Sequence, residues 1–221
     1  MKKVISVFLM VVLVIYSIVF AEDVPSKKQL EDLKSLGIMV GDEDGNMRLD
    51  DTITRAEAAK MICTVMGVKR SDFISEVAIS AFPDVTDSHW AKFYINEAKV
   101  LGIVEGDENG NFNPESDITN EEILKMLIFS MGYEPMAEQT GGYPAGYLRT
   151  AQKTGITENL VLKVDSPAVR KDVAVMFAMA LDIPMMVQSS WSPSGAVSYQ
   201  ILDGNNGIKL ETLRTRFFGD K

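Results

Sequence analysis

Three groups of residues have types and spacings suited to chemistry: acids and amides set between glycines, cations beside predicted helix starts, and aromatics that precede helices. Asp42, Asp44 and Gly45, and again Asp107, Asn109 and Gly110, fit the third, fifth and sixth positions of a calcium-binding EF-hand loop. The first position of such a loop falls on Val40 or Glu105 and the twelfth on Asp51 or Ser116. The first Asp and the bidentate Glu are therefore missing, and structural acidic turns are expected, with no metal site. His89 is the only histidine, which leaves no second His for a metal centre or a conventional Ser-His-Asp or Cys-His engine. Beside Trp90 at a predicted helix start, it is expected to serve the local turn. No pair of carboxylates stands out as a general acid and base, so neither a catalytic residue nor a cofactor is assigned.

What remains is Arg55 and Arg170, each at the start of a predicted helix, with Trp90, Tyr143 and Tyr147. A guanidinium fork suits carboxylates, helix N-termini offer free amides to anions, and aromatic faces can cover sugar rings. Together these would suit an acidic glycan. The other reading is that the arginines pair with nearby acids and the aromatics fill the core, and the residues alone do not choose between them.

The elements that position these groups come from a repeat. Gly37-Ile38-Met39-Val40-Gly41-Asp42-Glu43-Asp44-Gly45-Asn46, running on to Ile53-Thr54-Arg55-Ala56-Glu57, aligns without a gap with Gly102-Ile103-Val104-Glu105-Gly106-Asp107-Glu108-Asn109-Gly110-Asn111, running on to Ile118-Thr119-Asn120-Glu121-Glu122. A third, eroded copy sets Tyr143 and Tyr147 ahead of Gly155-Ile156 and places Val169-Arg170-Lys171-Asp172 where the helix start is expected. Each unit reads as helix, turn, helix. Leu30, Leu33 and Leu36, then Ile95, Ala98 and Leu101, then Leu148 and Ala151 line the first helices. Ala58, Ile62, Val65 and Met66, then Ile123, Leu127 and Met131, then Val173, Phe177, Ala180 and Leu181 line the second. Thr54 with Glu57 and Thr119 with Glu122 fit capping boxes. For the third unit the expected cap is Ser166, with Pro167 at the first helical position. From Met185 the pattern changes, and Val197–Leu202 with Ile208–Leu213 suits a small hairpin or the first piece of a further module.

The chain has 221 residues and a net charge of −9, which argues against nucleic acid as a partner. Residues 1–21 read as a secretory signal, with Lys2 and Lys3, an apolar run from Val4 to Phe20 and Ala21 at the cleavage position. The alternative is a retained anchor. Cys63, the only cysteine, lies in an apolar pattern and reads as a small buried hydrophobe.

Phe82-Pro83-Asp84-Val85, His89-Trp90-Ala91, Gly102 to Gly106, Asn109 to Pro114, Ile118-Thr119 and the intact Thr54-Arg55-Ala56-Glu57 together resemble the surface-layer homology domain. Gly141-Gly142-Tyr143-Pro144 with Gly146-Tyr147-Leu148 resembles the clostridial style. The resemblance implies an all-α fold of three tandem units around a pseudo-threefold axis and a three-helix bundle core. The units span 22–70, 81–134 and 141–184, and a tail runs over 185–221. It also implies a secreted protein held non-covalently at the cell wall by secondary cell-wall polysaccharide or a peptidoglycan-linked glycan, often bearing pyruvate. By position, Arg55, Glu57, Asp84, Trp90, Tyr143 and Arg170 would hold the glycan. Replacing both arginines by Ala should then abolish wall retention with helical content unchanged. The first copy lacks the Trp, the second has Asn120 for Arg, and the third has Tyr143 for Trp and Val169 for Thr. Rival readings are a surface-layer assembly protein contacting other such proteins without sugar, and the front anchor of a larger surface enzyme.

Overall fold

The computed structural model describes residues 25–72, 79–192 and 195–219; the leader expected over 1–21 lies outside them. The described chain is mostly helical, with one small antiparallel sheet. The helices are α1 Lys27–Ser35, α2 Arg55–Val65, α3 Lys92–Val100, α4 Asn120–Ser130, α5 Glu134–Gln139, α6 Ala145–Thr154, α7 Arg170–Asp182 and α8 Leu213–Phe217. Strands β1 Met186–Trp191 and β2 Val197–Ile201 lie between the last two.

Local chemistry sets half of the described helix starts. Ser26 with Gln29, Thr54 with Glu57, and Thr119 with Glu122 all form complete capping boxes, each cap contributing about 1 kcal/mol. The start of α7 departs from expectation. Val169 is its N-cap and makes no side-chain cap bond, and Ser166 and Pro167 lie outside the helix. Residues 167–169 are needed elsewhere, in extended form, and the first amides of α7 are satisfied by the Asp51 and Leu49 carbonyls.

That other use is a closed ring of backbone hydrogen bonds. Ile53 N–H donates to Ala168, Ala168 N–H to Ile118, and Ile118 N–H back to Ile53, at 3.0, 2.8 and 3.0 Å. All three side chains are buried. Isolated bridges pairing Thr52 with Val169, Thr54 with Asp117, and Thr119 with Pro167 flank the ring. Around it the helices pack in matching pairs, α3 on α2, α6 on α4 and α1 on α7.

The stripes expected on α2, α4 and α7 are buried, with Met66 partly so, in one continuous apolar core. On the other helices Leu33, Ile95, Ala98 and Ala151 are buried, whereas Leu101 is exposed. Cys63 is buried in that core, its thiol donating to the Tyr94 carbonyl at 3.3 Å.

Two further features depart from the sequence expectation. The sheet pairs β1 with β2, Met186 opposite Ile201 and Trp191 opposite Val197; the segment from Ile208 runs alongside as coil and enters α8 at Leu213. The start of β1 is pinned where α4 ends, Met186 N–H donating to the Met131 carbonyl at 2.9 Å. There Gly132 has φ +83°, and a Cβ on it would stand 2.0 Å from the Met186 carbonyl oxygen. Helix α5 was not anticipated; it packs on α6, and Tyr147 donates to Glu138 at 2.9 Å. Burial, followed by that carboxylate, pushes the Tyr147 hydroxyl pKa up.

Candidate functional site

Each of the α2, α4 and α7 starts faces loop residues from another part of the chain, and the first helical side chain decides what happens there. Arg170 is 7% exposed. Its Nε donates to the Met47 carbonyl at 2.9 Å, one terminal nitrogen to Glu57 Oε1 at 2.9 Å and the other to the Val40 carbonyl at 3.3 Å. Arg55 repeats the arrangement, donating to the Phe112 carbonyl at 2.8 Å, Glu122 Oε1 at 2.5 Å and the Glu105 carbonyl at 3.4 Å. Its guanidinium also lies 4.9 Å from the Phe112 ring centroid. The other oxygens of Glu57 and Glu122 accept from the Thr54 and Thr119 amides at 3.0 and 2.9 Å. One carboxylate thus closes its own helix cap and grips an arginine from elsewhere in the chain. Asn120, in the corresponding place on α4, donates to the Lys163 carbonyl at 3.1 Å.

Outside these locks lie two grooves. One, of about 380 Å³, is lined by Arg55, Asp107, Asn113, Glu122, Lys125 and Tyr143. Tyr143 is 50% exposed there, and the Lys125 ammonium stands 5.6 Å from its ring centroid. Burial first, and Glu122 next, raise the Tyr143 hydroxyl pKa. The other groove, of about 590 Å³, is lined by Arg48, Asp51, Thr54, Glu57, Trp90 and Glu115. Trp90 is 51% exposed and stacks on His89 with centroids 5.8 Å apart. His89 Nδ1 accepts from the Ala91 amide, which leaves Nε2 to carry the proton shared with Glu115 at 2.9 Å.

Of the six residues singled out from sequence, Arg55 and Tyr143 line the first groove and Glu57 and Trp90 the second. Arg170 lies behind Glu57, bonded to it. Asp84 braces a loop, accepting from the Phe112 and Asn113 amides at 2.8 and 2.6 Å. Sequence reading missed Lys125 and Arg48. A signal for Lys125 existed: Lys60 and Lys125 hold the same place in the gap-free repeat.

The acidic turns are held by their own backbone. Asp42 Oδ1 accepts from the Asp44 and Asn46 amides, and Asp107 Oδ1 from those of Asn109 and Asn111. The Asn113 side chain, followed by the Asn111 amide, holds the Asp107 carboxyl below the usual carboxylate range. Among the described residues no group of three or more His, Cys, Asp or Glu side chains is placed to hold a metal ion, and no helix is long and apolar enough to cross a membrane.

The S-layer homology domain matches residues 23–59 and 81–124. A "Cell surface protein" of Thermoanaerobacter kivui is 30% identical over 165 residues, covering 75% of this chain and 21% of the relative. The "Middle cell wall protein" of Brevibacillus brevis is 26% identical over 195 residues, covering 88% and 17%. An "Endo-1,4-beta-xylanase A" of Thermoanaerobacterium saccharolyticum is 34% identical over 100 residues, covering 45% and 8%. The chain spans about a fifth or less of the length of these relatives. Two segments of this chain are thus S-layer homology sequence, the same segments that supply Thr54, Arg55, Glu57 and the Thr119–Glu122 cap.

Proposed function

We propose that this chain anchors an exported protein at the bacterial cell surface, non-covalently and without catalysis of its own, by binding an acidic secondary cell-wall polysaccharide. The observation that carries the reading is the groove in which the half-exposed Tyr143 ring stands beside Lys125 and Arg55. An aromatic face covers a sugar ring, while an ammonium and a guanidinium edge take up a carboxylate such as that of a pyruvate ketal. The Trp90 groove, with Arg48 as its cation, supplies a second, more open site of the same kind. Three tandem units around a pseudo-threefold axis form the scaffold in this reading, supported by the backbone ring and the matching helix pairs. The third unit carries the degenerate start at Val169.

The test is retention on purified sacculi with and without their secondary polysaccharide. Tyr143→Ala, Trp90→Ala and Lys125→Ala are better probes than the arginines, which are committed to bonds that join distant parts of the chain. Retention that requires the polysaccharide and falls in these variants is expected; retention indifferent to both would sink the proposal. Those same arginine bonds favour a second reading, in which the repeats are scaffold for surface-layer assembly and bind no sugar. It predicts self-association with no affinity for either wall preparation.

A further inference from the structure

The two grooves are built from corresponding positions of the repeat. Arg48, Asp51 and Glu57 in the Trp90 groove align without a gap with Asn113, Ser116 and Glu122 in the Tyr143 groove. The first of these pairs sets them apart. Asn113 stands at φ +58° and Arg48 at φ +51°, in the left-handed region that asparagine tolerates and most other side chains avoid. The Asn113 amide is spent on the fold, its Nδ2 donating to Asp107 Oδ2 at 2.9 Å. Arg48 puts an ill-suited residue on the same backbone. Its Nε donates to Asp51 Oδ2 at 2.7 Å, an ion pair half exposed on both sides and therefore of little weight in folding. Its two terminal nitrogens make no hydrogen bond among the described residues. In Arg55 and Arg170, by contrast, all three guanidinium nitrogens are bonded within the chain.

A side chain that strains its backbone, adds little to the fold and holds out an open fork points to function. We propose that Arg48 is the residue by which the Trp90 groove selects a carboxylate-bearing sugar over its neutral counterpart. Asp51 holds the guanidinium by Nε and leaves the terminal N–H groups as a planar pair matched to the two oxygens of a carboxylate. Trp90, half exposed on the same groove, covers the ring. Glu57 and Glu115 also line this groove and repel an acid placed anywhere but against the fork, so position counts as well as charge. Asn113 offers the Tyr143 groove no such fork, and the Lys125 ammonium there is a point charge without a bidentate preference. Discrimination by charge thus belongs mainly to the Trp90 groove. The inference rests on the anchoring reading above and adds to it a residue and a specificity.

The test is binding of the full chain to the secondary polysaccharide released from sacculi, either native or with its carboxyl groups converted to methylamides. The parent should hold the native form more tightly. Arg48→Asn, which sets the residue of the Tyr143 groove in the same left-handed position, should lower that preference about tenfold and leave affinity for the amidated form within about twofold. Its melting temperature should equal or exceed the parent's, because the strain goes with the arginine. Arg48→Lys, which keeps the charge and loses the fork, should retain only part of the preference. Added to Trp90→Ala, Arg48→Asn should change the preference little, since both act on one sugar. An Arg48→Asn chain that discriminates like the parent, or that loses discrimination and stability together, would overturn the proposal and leave wall anchoring standing. So would a parent that binds both forms equally. A parent that binds neither form ends the anchoring reading and this inference with it.

Discussion

The junctions built on Arg55 and Arg170 and the one built on Asn120 share a backbone and differ in their side chains. At all three, the residue before the N-cap joins the ring of Ile53, Ile118 and Ala168. At two, a guanidinium then ties the helix start to a distant loop and cap; at the third, an amide makes two carbonyl contacts and leaves an oxygen orphaned. Ring closure is therefore a backbone property that tolerates substitution, and the arginine is a lock added on top of it. The starts of α2 and α7 make the complementary point: at both, the first two amides donate to carbonyls from elsewhere in the chain, Ser116 and Pro114 for α2, Asp51 and Leu49 for α7, and only Thr54 adds a side-chain cap on the third amide.

The largest effect should come from opening the tighter lock. Arg170→Ala removes a buried guanidinium from two carbonyls and from Glu57, whose side chain is 33% exposed, and should cost about 3 kcal/mol by denaturant unfolding. Arg55→Ala should cost less, about 1.5–3 kcal/mol, because that side chain is less buried. Costs below about 0.5 kcal/mol for both, as at an ordinary surface position, would mean that the guanidinium pairs are not what separates the junctions. The double variant then reads stability together with wall retention, contrary to the expectation of unchanged structure.

Next come the exposed aromatics, whose loss should leave unfolding nearly unchanged. Tyr143→Ala should weaken retention on polysaccharide-bearing sacculi about tenfold, or roughly 1.4 kcal/mol, and Trp90→Ala should do so to a smaller degree in its more open groove. Capping is smaller again. Thr119→Ala should destabilise by about 1 kcal/mol, and Val169→Thr, which places a cap hydroxyl where Thr54 and Thr119 have theirs, should gain less than about 1 kcal/mol.

Cys63 supplies the least perturbing readout. Burial, and then Glu97, push its thiol up to about 12, so the folded chain favours the protonated form. Its contribution to stability is complete below the ordinary thiol pKa of about 8.5 and is lost as pH rises toward about 12. At pH 8, labelling by a thiol reagent should require opening of the core; Arg170→Ala should accelerate it and Tyr143→Ala should not. Fast labelling of the parent would contradict the burial.

Much of the fold was legible because it is local. Thr54 with Glu57 and Thr119 with Glu122 needed only a three-residue spacing, and the buried stripes of α2, α4 and α7 needed only the helical period. The arginine partners were not legible, although Glu57 and Glu122 were already assigned as caps, because the bonds join residues 113 and 67 positions apart. Ser166 and Pro167 look like a helix start and become ring flank, a case of tertiary pairing overriding local propensity. The hairpin was placed in the right region with the wrong partner: Met186–Trp191 has weak alternation, and its pairing depends on Met186 docking against the end of α4. In the candidate site the aromatics were legible, and Lys125 became visible only once its groove existed.

The ring also governs how the molecule can be assembled. Its joint between Ile53 and Ala168 fastens an early part of the chain to a late one, and α1 meets α7 on the same side. That joint closes the longest loop and bears the greatest chain-entropy cost, so it should form last, after the Ile53–Ile118 joint has set the first two segments together. A growing chain would expose the open ring until α7 emerges. The half-made molecule, with its unpaired extended edge at Ile53, is the species most exposed to mispairing before the circle shuts.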